Sequence, residues 1–272
     1  MKTIALNDFV IGGPQGFVLI AGPCVLEDEQ SAMDIALYLK RLTAELKIPF
    51  IFKASYDKAN RTSVSAYRGP GAREGLEILR RVKKSLEVPI LSDVHRFEEI
   101  DQAADVLDVM QVPAFLCRQT DFIIEIAKKA RIINVKKGQF LAPWDVANII
   151  SKVKSAGNEN LLLTERGASF GYNNLVFDVR SLPIMRALGY PVIFDATHAV
   201  QLPGGAGCAS DGQREMVPFL TRAAVAAGVD GIFMEVHPDP EKALCDGPNS
   251  LYLDSLEALL TTLKTIDNTI NK

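Results

Sequence analysis

Eight short apolar runs recur along the chain, at residues 17–20, 49–52, 89–91, 106–112, 132–135, 161–163, 191–194 and 231–234. Within each run the apolar character is nearly continuous rather than alternating. Strands buried on both faces of a parallel sheet have this pattern. Between the runs the period changes to that of a helix. Ile35, Leu39, Leu42 and Leu46 form one stripe, Leu76, Leu79, Val82 and Leu86 a second, Val146, Ile149, Ile150 and Val153 a third, and Leu256, Leu259, Leu260 and Leu263 a fourth. Charged residues flank each stripe, as on helices packed against a sheet. Asp28 or Ser31 is placed to cap the first helix, and Pro143 suits the first turn of the third. The stretch 97–105 has room only for a short helix.

Eight strands alternating with helices predict a (β/α)8 TIM barrel, one domain over residues 1–272. An open doubly wound sheet would want a glycine-rich phosphate loop after its first strand. The chain has Ala21-Gly22-Pro23-Cys24 there instead. Residues 1–14 precede the first strand and, around Gly12-Gly13-Pro14, predict a short N-terminal β-hairpin that closes the barrel bottom.

The composition fits this class: 48% of the 272 residues are apolar, enough for a large core, and 23% are charged. The net charge of −3 argues against a nucleic-acid partner, which calls for a basic excess. No apolar run is long enough to span a membrane, and the N-terminus carries no secretory pattern, so a cytoplasmic location is expected. The four cysteines, Cys24, Cys117, Cys208 and Cys245, are widely spaced and form no CxxC pair. They read as buried thiols, or as including one metal ligand or nucleophile.

The charges that follow the apolar runs carry the chemistry. In a parallel barrel all strand C-termini open on one face, and that face carries the active site. Lys53, Lys58 and Arg61 follow the second run, Lys136 the fifth and Arg166 the sixth. Any one alone reads as a solvated loop charge. Together around one mouth they would repel one another without an anion, so a phosphate or carboxylate ligand is expected.

A second group is Cys24, His198 and Glu235, at the ends of the first, seventh and eighth runs, with Asp246 in the loop beyond. Barrel closure makes the first and eighth strands neighbours. A thiolate, an imidazole and two carboxylates suit one divalent ion such as Zn²⁺, Fe²⁺ or Mn²⁺. Cys245 and His237 compete as ligands on spacing. Cys24 as a nucleophile with His198 as base is a further option, disfavoured because nearby carboxylates raise a thiol pKa. The glycine-rich loop 202–212 is expected to form a mobile lid.

Longer motifs add a family. Ala21-Gly22-Pro23-Cys24, the run from Phe52 through Arg61, Tyr67-Arg68-Gly69-Pro70-Gly71, the run from Pro113 through Asp121, the run from Asn134 through Phe140, Glu165-Arg166-Gly167 and His237-Pro238-Asp239-Pro240 resemble the 3-deoxy-D-manno-octulosonate 8-phosphate synthase (2-dehydro-3-deoxyphosphooctonate aldolase) family. The resemblance runs from about residue 17 to the last helix. It implies a homotetrameric barrel that condenses phosphoenolpyruvate with D-arabinose 5-phosphate, releases phosphate, and serves lipopolysaccharide (Kdo) biosynthesis. Two classes exist, and Cys24, where the metal-free class has Asn, implies the metal-dependent one, with Cys24, His198, Glu235 and Asp246 as ligands of one ion per subunit.

By the same resemblance Lys53, Ser55 and Lys58 hold the phosphoenolpyruvate carboxylate. The Ala114 backbone, Lys136 and Arg166 hold its phosphate, and Gln111 and Phe115 line the pocket. Asn60 and Asp93 contact the sugar hydroxyls. Arg61 and Thr62 bind the sugar phosphate, reaching in from a neighbouring subunit. Lys58, Asn60, Asp93, His198 and Asp246 are the implied catalytic set. One departure stands at 61–66, where Arg-Thr-Ser-Val-Ser-Ala replaces the more usual Arg-Ser-Ser-Ile-His-Ser; Thr62 keeps the hydroxyl. The alternatives are the related heptulosonate-phosphate synthase acting on erythrose 4-phosphate, whose Lys-Pro-Arg-Thr motif is absent, and a non-catalytic sugar-phosphate-binding barrel.

Overall fold

The computed structural model describes residues 1–13, 16–205 and 210–270. Eight parallel strands form the barrel: β3 (Val18–Gly22), β4 (Phe50–Lys53), β5 (Ile90–Asp93), β6 (Val109–Val112), β7 (Ile132–Lys136), β8 (Leu161–Glu165), β11 (Val192–Asp195) and β14 (Gly231–His237). Each pairs with the next, β11 with β14 included, and the pairing of β14 with β3 closes the ring. The helices are α1 (Glu29–Leu46), α2 (Ala72–Leu86), α3 (Ile100–Ala104), α4 (Thr120–Lys129), α5 (Val146–Ser155), α6 (Ser181–Arg186), α7 (Val217–Ala227) and α8 (Leu256–Ile270). Asp28 caps α1, its carboxylate accepting from the Ser31 amide at 2.8 Å. Pro143 opens a 3₁₀ turn over Pro143–Asp145 rather than the α-helix itself, which begins at Val146.

The strands have two apolar faces because the barrel has two cores. Outward-facing Leu19, Phe52, Met110, Ile133, Leu163 and Phe194 pack against the helix stripes, among them Leu39, Leu79, Ile149 and Leu260. Inward-facing Ile20, Ile51, Leu91, Val109, Ile132, Leu162, Ile193 and Phe233 pack on one another. Ile4, Leu6 and Ile11 join this inner cluster. They belong to the hairpin β1 (Ile4–Leu6) and β2 (Phe9–Ile11), which plugs the N-terminal end of the barrel. The plug is where the sequence places it, but its turn is not at Gly12-Gly13-Pro14. The chain reverses at Asn7-Asp8, with Asn7 in the left-handed region (φ 52°) that Asn tolerates. Gly12 and Gly13 lie beyond the second strand.

Counting by two up each strand moves from the plugged end to the open one, and the inner face changes character on the way. Ile51 is followed by Lys53, Leu91 by Asp93, Val109 by Gln111, Ile193 by Asp195 and Phe233 by Glu235. A buried polar layer spans the change: Thr164 Oγ1 donates to Asn134 Oδ1 at 2.6 Å, and Asn134 Nδ2 to Gln111 Oε1 at 3.0 Å. The small hairpins β9–β10 (Ala168–Ser169 with Leu175–Val176) and β12–β13 (Gln201–Leu202 with Asp211–Gly212) rise from the open end, and β15 (Leu251–Tyr252) pairs in parallel beside the last residues of β14. The predicted lid spans the β12–β13 hairpin; its centre, 206–209 including Cys208, lies outside the described residues. No helix among the described residues is long and apolar enough to cross a membrane.

Candidate active site

Local geometry first fixes where the charges point. A Cβ on Gly22 would fall 1.9 Å from the Lys53 carbonyl oxygen. Only glycine lets the ends of β3 and β4 approach so closely. That approach sets Cys24 beside Lys53, whose ammonium donates to the Cys24 carbonyl at 2.9 Å. Asp246 sits in the left-handed region (φ 48°), and its carbonyl accepts from the Ser250 amide at 3.0 Å. This tight turn turns its carboxylate back toward the barrel axis.

One cavity occupies the open end. Lys53, Ser55 and Lys58 line it from β4 and the loop after it, and Asn60, Arg61 and Thr62 from further along that loop. Asp93, Gln111, Ala114 and Phe115 follow, then Lys136 and Arg166, then His198, Glu235 and Asp246. Every residue expected at the mouth thus lines this space except Cys24, which lies behind Asp246 with its Sγ 3.3 Å from Oδ2. Arg61 and Thr62, expected to reach in from a neighbouring subunit, line the cavity of their own chain. Their depth also differs. Lys136 and Arg166 are buried, whereas Asn60 and Thr62 are exposed at the rim.

The cations are held by carboxylates on the strands. Glu235, fully buried, takes the Lys53 ammonium at 2.5 Å and stands 3.6 Å from Lys58. Burial alone would raise its pKa, but Lys53, Lys58 and His198 hold it well below the usual carboxylate range. Asp195 takes the Lys136 ammonium at 2.6 Å and is likewise kept ionised against burial, by His198 and Lys136. Burial lowers the Lys136 pKa despite that partner. Arg166 Nη2 donates to Gln201 Oε1 at 2.9 Å. Of these, Asp195, Gln201 and Gln139, whose buried Oε1 has no partner, are site residues that strand-end reasoning passed over. Asp195 had a signal: it lies two residues beyond inward-facing Ile193.

The donor set for a metal fits a cation. His198 Nδ1 lies 2.9 Å from Asp195 Oδ2, which fixes the ring and turns Nε2 toward the carboxylates. Nε2 is 3.6 Å from Glu235 Oε2 and 3.9 Å from Asp246 Oδ2, so these three donors lie close enough to share an ion, while Cys24 clusters with Cys245 and Asp246, which is common to both groups. Glu235 Oε2 is buried and has no hydrogen-bond partner. A cation between these groups would satisfy it. Burial raises the Cys24 thiol pKa well above normal, with Cys245 and Asp246 adding to the effect; a bound cation reverses that cost. Of the competing ligands, Cys245 stays close to Cys24 and Asp246, but its Sγ is taken up by Arg61 Nη1 at 2.5 Å. His237 faces Glu27 instead, at 3.7 Å.

A closed barrel with a cationic floor, carboxylate counter-charges and a metal-competent corner defines a (β/α)8 enzyme that handles anionic substrates. The DAHP synthetase I family matches residues 2–272. Among similar proteins, a 2-dehydro-3-deoxyphosphooctonate aldolase of Pelobacter propionicus is 65% identical over 266 residues, covering 98% of each chain. One from Geobacter sp. is 62% identical over 271 residues, covering 100% of this chain and 99% of its own, and one from Desulfosudis oleivorans is 64% identical over 265, covering 97% and 95%. The chain belongs to the 2-dehydro-3-deoxyphosphooctonate aldolases, within the DAHP synthetase I family.

Proposed function

We propose that the chain condenses phosphoenolpyruvate with D-arabinose 5-phosphate and water, giving 3-deoxy-D-manno-octulosonate 8-phosphate and inorganic phosphate for lipopolysaccharide synthesis. The observation that carries this is the two-level array of cations: Lys136 and Arg166 buried at the floor, Arg61 at the rim, with Asp93 and Asn60 along the same cavity. Two phosphorylated substrates must meet there, and cations at both levels offset their repulsion.

In this reading Lys53, Ser55 and Lys58 bind the phosphoenolpyruvate carboxylate. Lys136, Arg166 and the Ala114 amide bind its phosphate, with Gln111 and Phe115 as walls. Arg61 and Thr62 bind the sugar phosphate, and Asn60 and Asp93 orient the hydroxyls. The enol methylene carbon bonds to the aldehyde carbon, and the aldehyde oxygen takes a proton. Water adds to the adjacent carbon, now electron-poor, and loses a proton. The hemiketal phosphate then collapses with carbon–oxygen cleavage, releasing phosphate. Asp246 and Glu235 share the proton transfers with His198, whose ring Asp195 orients. A divalent ion held by Cys24, His198, Glu235 and Asp246 would supply Lewis acidity at the aldehyde oxygen or lower the pKa of a water. Assembly as a homotetramer and a cytoplasmic location belong to the same reading.

Phosphate release with arabinose 5-phosphate tests it, with erythrose 4-phosphate as the comparison. Activity should need the pentose phosphate, vanish with a strong chelator and return with Mn²⁺ or Zn²⁺. Preference for erythrose 4-phosphate would favour heptulosonate-phosphate synthesis. Release with neither sugar would favour a binding barrel, and full activity in metal-free protein would sink the metal.

A further inference from the structure

His95 lines no part of the cavity, and its side chain is 5% exposed, yet it touches both halves of the sugar end. Its Nε2 lies 3.0 Å from Asp93 Oδ2 and 2.9 Å from the Asp57 main-chain carbonyl. A carbonyl oxygen and an ionised carboxylate only accept, so Nε2 carries the proton and is shared between them. Asp93 faces the cavity from the end of β5. Asp57 begins the segment that carries Lys58, Asn60, Arg61 and Thr62 into it. The ring is braced from behind: the His95 amide donates to Glu99 Oε2 at 3.0 Å, and Glu99 also takes the Tyr56 hydroxyl at 3.0 Å and Arg96 at 2.5 Å. Asp57 is pinned separately, by Arg68 at 2.6 Å and Arg96 at 3.1 Å.

We propose that His95 is a positioning residue whose single Nε2–H ties the Asp93 carboxylate to the start of the 57–62 segment and so sets the spacing of the aldose-phosphate subsite. The Lys136–Arg166 phosphate floor, on β7 and just past β8, takes no contact from this bridge, which meets the phosphoenolpyruvate side only through Lys58 and through Ser55, whose hydroxyl donates to Asp93 at 2.5 Å. The inference rests on the proposed function, which assigns that subsite to the sugar.

Steady-state kinetics of H95F, H95N and H95Q, each with a thermal melt, test it. Gln places its amide N–H where Nε2 sits; Asn stops short. H95F and H95N should raise KM for arabinose 5-phosphate about tenfold or more, the size of one lost charge-assisted bond, and KM for phosphoenolpyruvate by clearly less, because its phosphate floor does not touch the bridge. H95Q should recover most of the loss. An unchanged sugar KM in H95F or H95N overturns the inference. So does an equal rise for both substrates, or failure of H95Q to rescue. If H95F does not fold, the H95N and H95Q pair decides alone. Wild-type protein inactive on arabinose 5-phosphate would instead strike the functional reading.

Discussion

Asp195→Asn isolates the groove between the metal corner and the phosphate floor, because one buried carboxylate serves both. Its Oδ1 lies 3.0 Å from His198 Nδ1 and its Oδ2 2.6 Å from the Lys136 ammonium. Both partners are donors. An amide keeps one acceptor oxygen and turns an NH₂ group toward the other donor, so one bond is lost and a repulsion replaces it. A bond to a charged group contributes about 1.5–3 kcal/mol, roughly 10- to 150-fold. Metal affinity should fall about 10- to 100-fold, the usual effect of removing a carboxylate behind a ligating His. The second effect has a sign. Burial already lowers the Lys136 pKa, and Asp195 opposes that. Binding of phosphate by Lys136 needs the ammonium, so it is present below the Lys136 pKa and lost as pH rises through it. Removing Asp195 lowers that pKa further, and the alkaline limb of kcat/KM for phosphoenolpyruvate should move to lower pH. Competition with a metal indicator dye reads the first effect and a pH profile the second. A folded D195N that holds metal as wild type does and keeps its alkaline limb would refute the reasoning.

Cys24→Asn should leave the purified protein with little bound metal by elemental analysis; wild-type metal content would remove Cys24 from the ligand set. Leu6→Ala opens a hole in the fully buried plug and should cost about 2–5 kcal/mol in urea unfolding; a loss under about 1 kcal/mol would mean the hairpin does not support the barrel core. Asp57 is held below the usual carboxylate range by Arg68 and Arg96 although its burial opposes this. A lowered carboxylate pKa stabilises the fold above the unfolded pKa and stops doing so as pH falls through the folded one. Asp57→Asn should therefore cost about 1–2 kcal/mol near neutral pH, discounted for the half-exposed arginines, and the gap from wild type should close below about pH 4.

The barrel strands were legible because burial on both faces leaves continuous apolar runs, and α1, α2, α5 and α8 because their stripes hold a helical period. The turn of the plug was not: Gly12-Gly13-Pro14 is the louder turn signal, while the chain reverses at the quieter Asn7-Asp8. The cationic mouth was legible as a set of strand ends. Its depth was not, since Lys136 and Thr62 both read simply as residues after an apolar run, and only the two-residue alternation past Ile132 and Asn134 puts Lys136 on the floor. Cys24 meeting Asp246 depends on barrel closure, which joins residues 222 positions apart. His95 escaped notice because it faces away from the cavity and acts through Asp93 and Asp57.

The plug has a further consequence in the order of synthesis. Ile4, Leu6 and Ile11 leave the ribosome before every strand they pack inside, and the ring that encloses them closes only when β14 joins β3 and β11. Roughly 220 residues separate Ile11 from Gly231, so at ~5–20 residues per second the hairpin waits on the order of 10–45 s for its burial site. During that interval it is an unsatisfied apolar segment on a nascent chain, exposed to chaperones and to other copies. A hairpin that emerges ahead of the whole barrel is thus among the last elements to be buried, and that delay is built into the order of the elements along the chain.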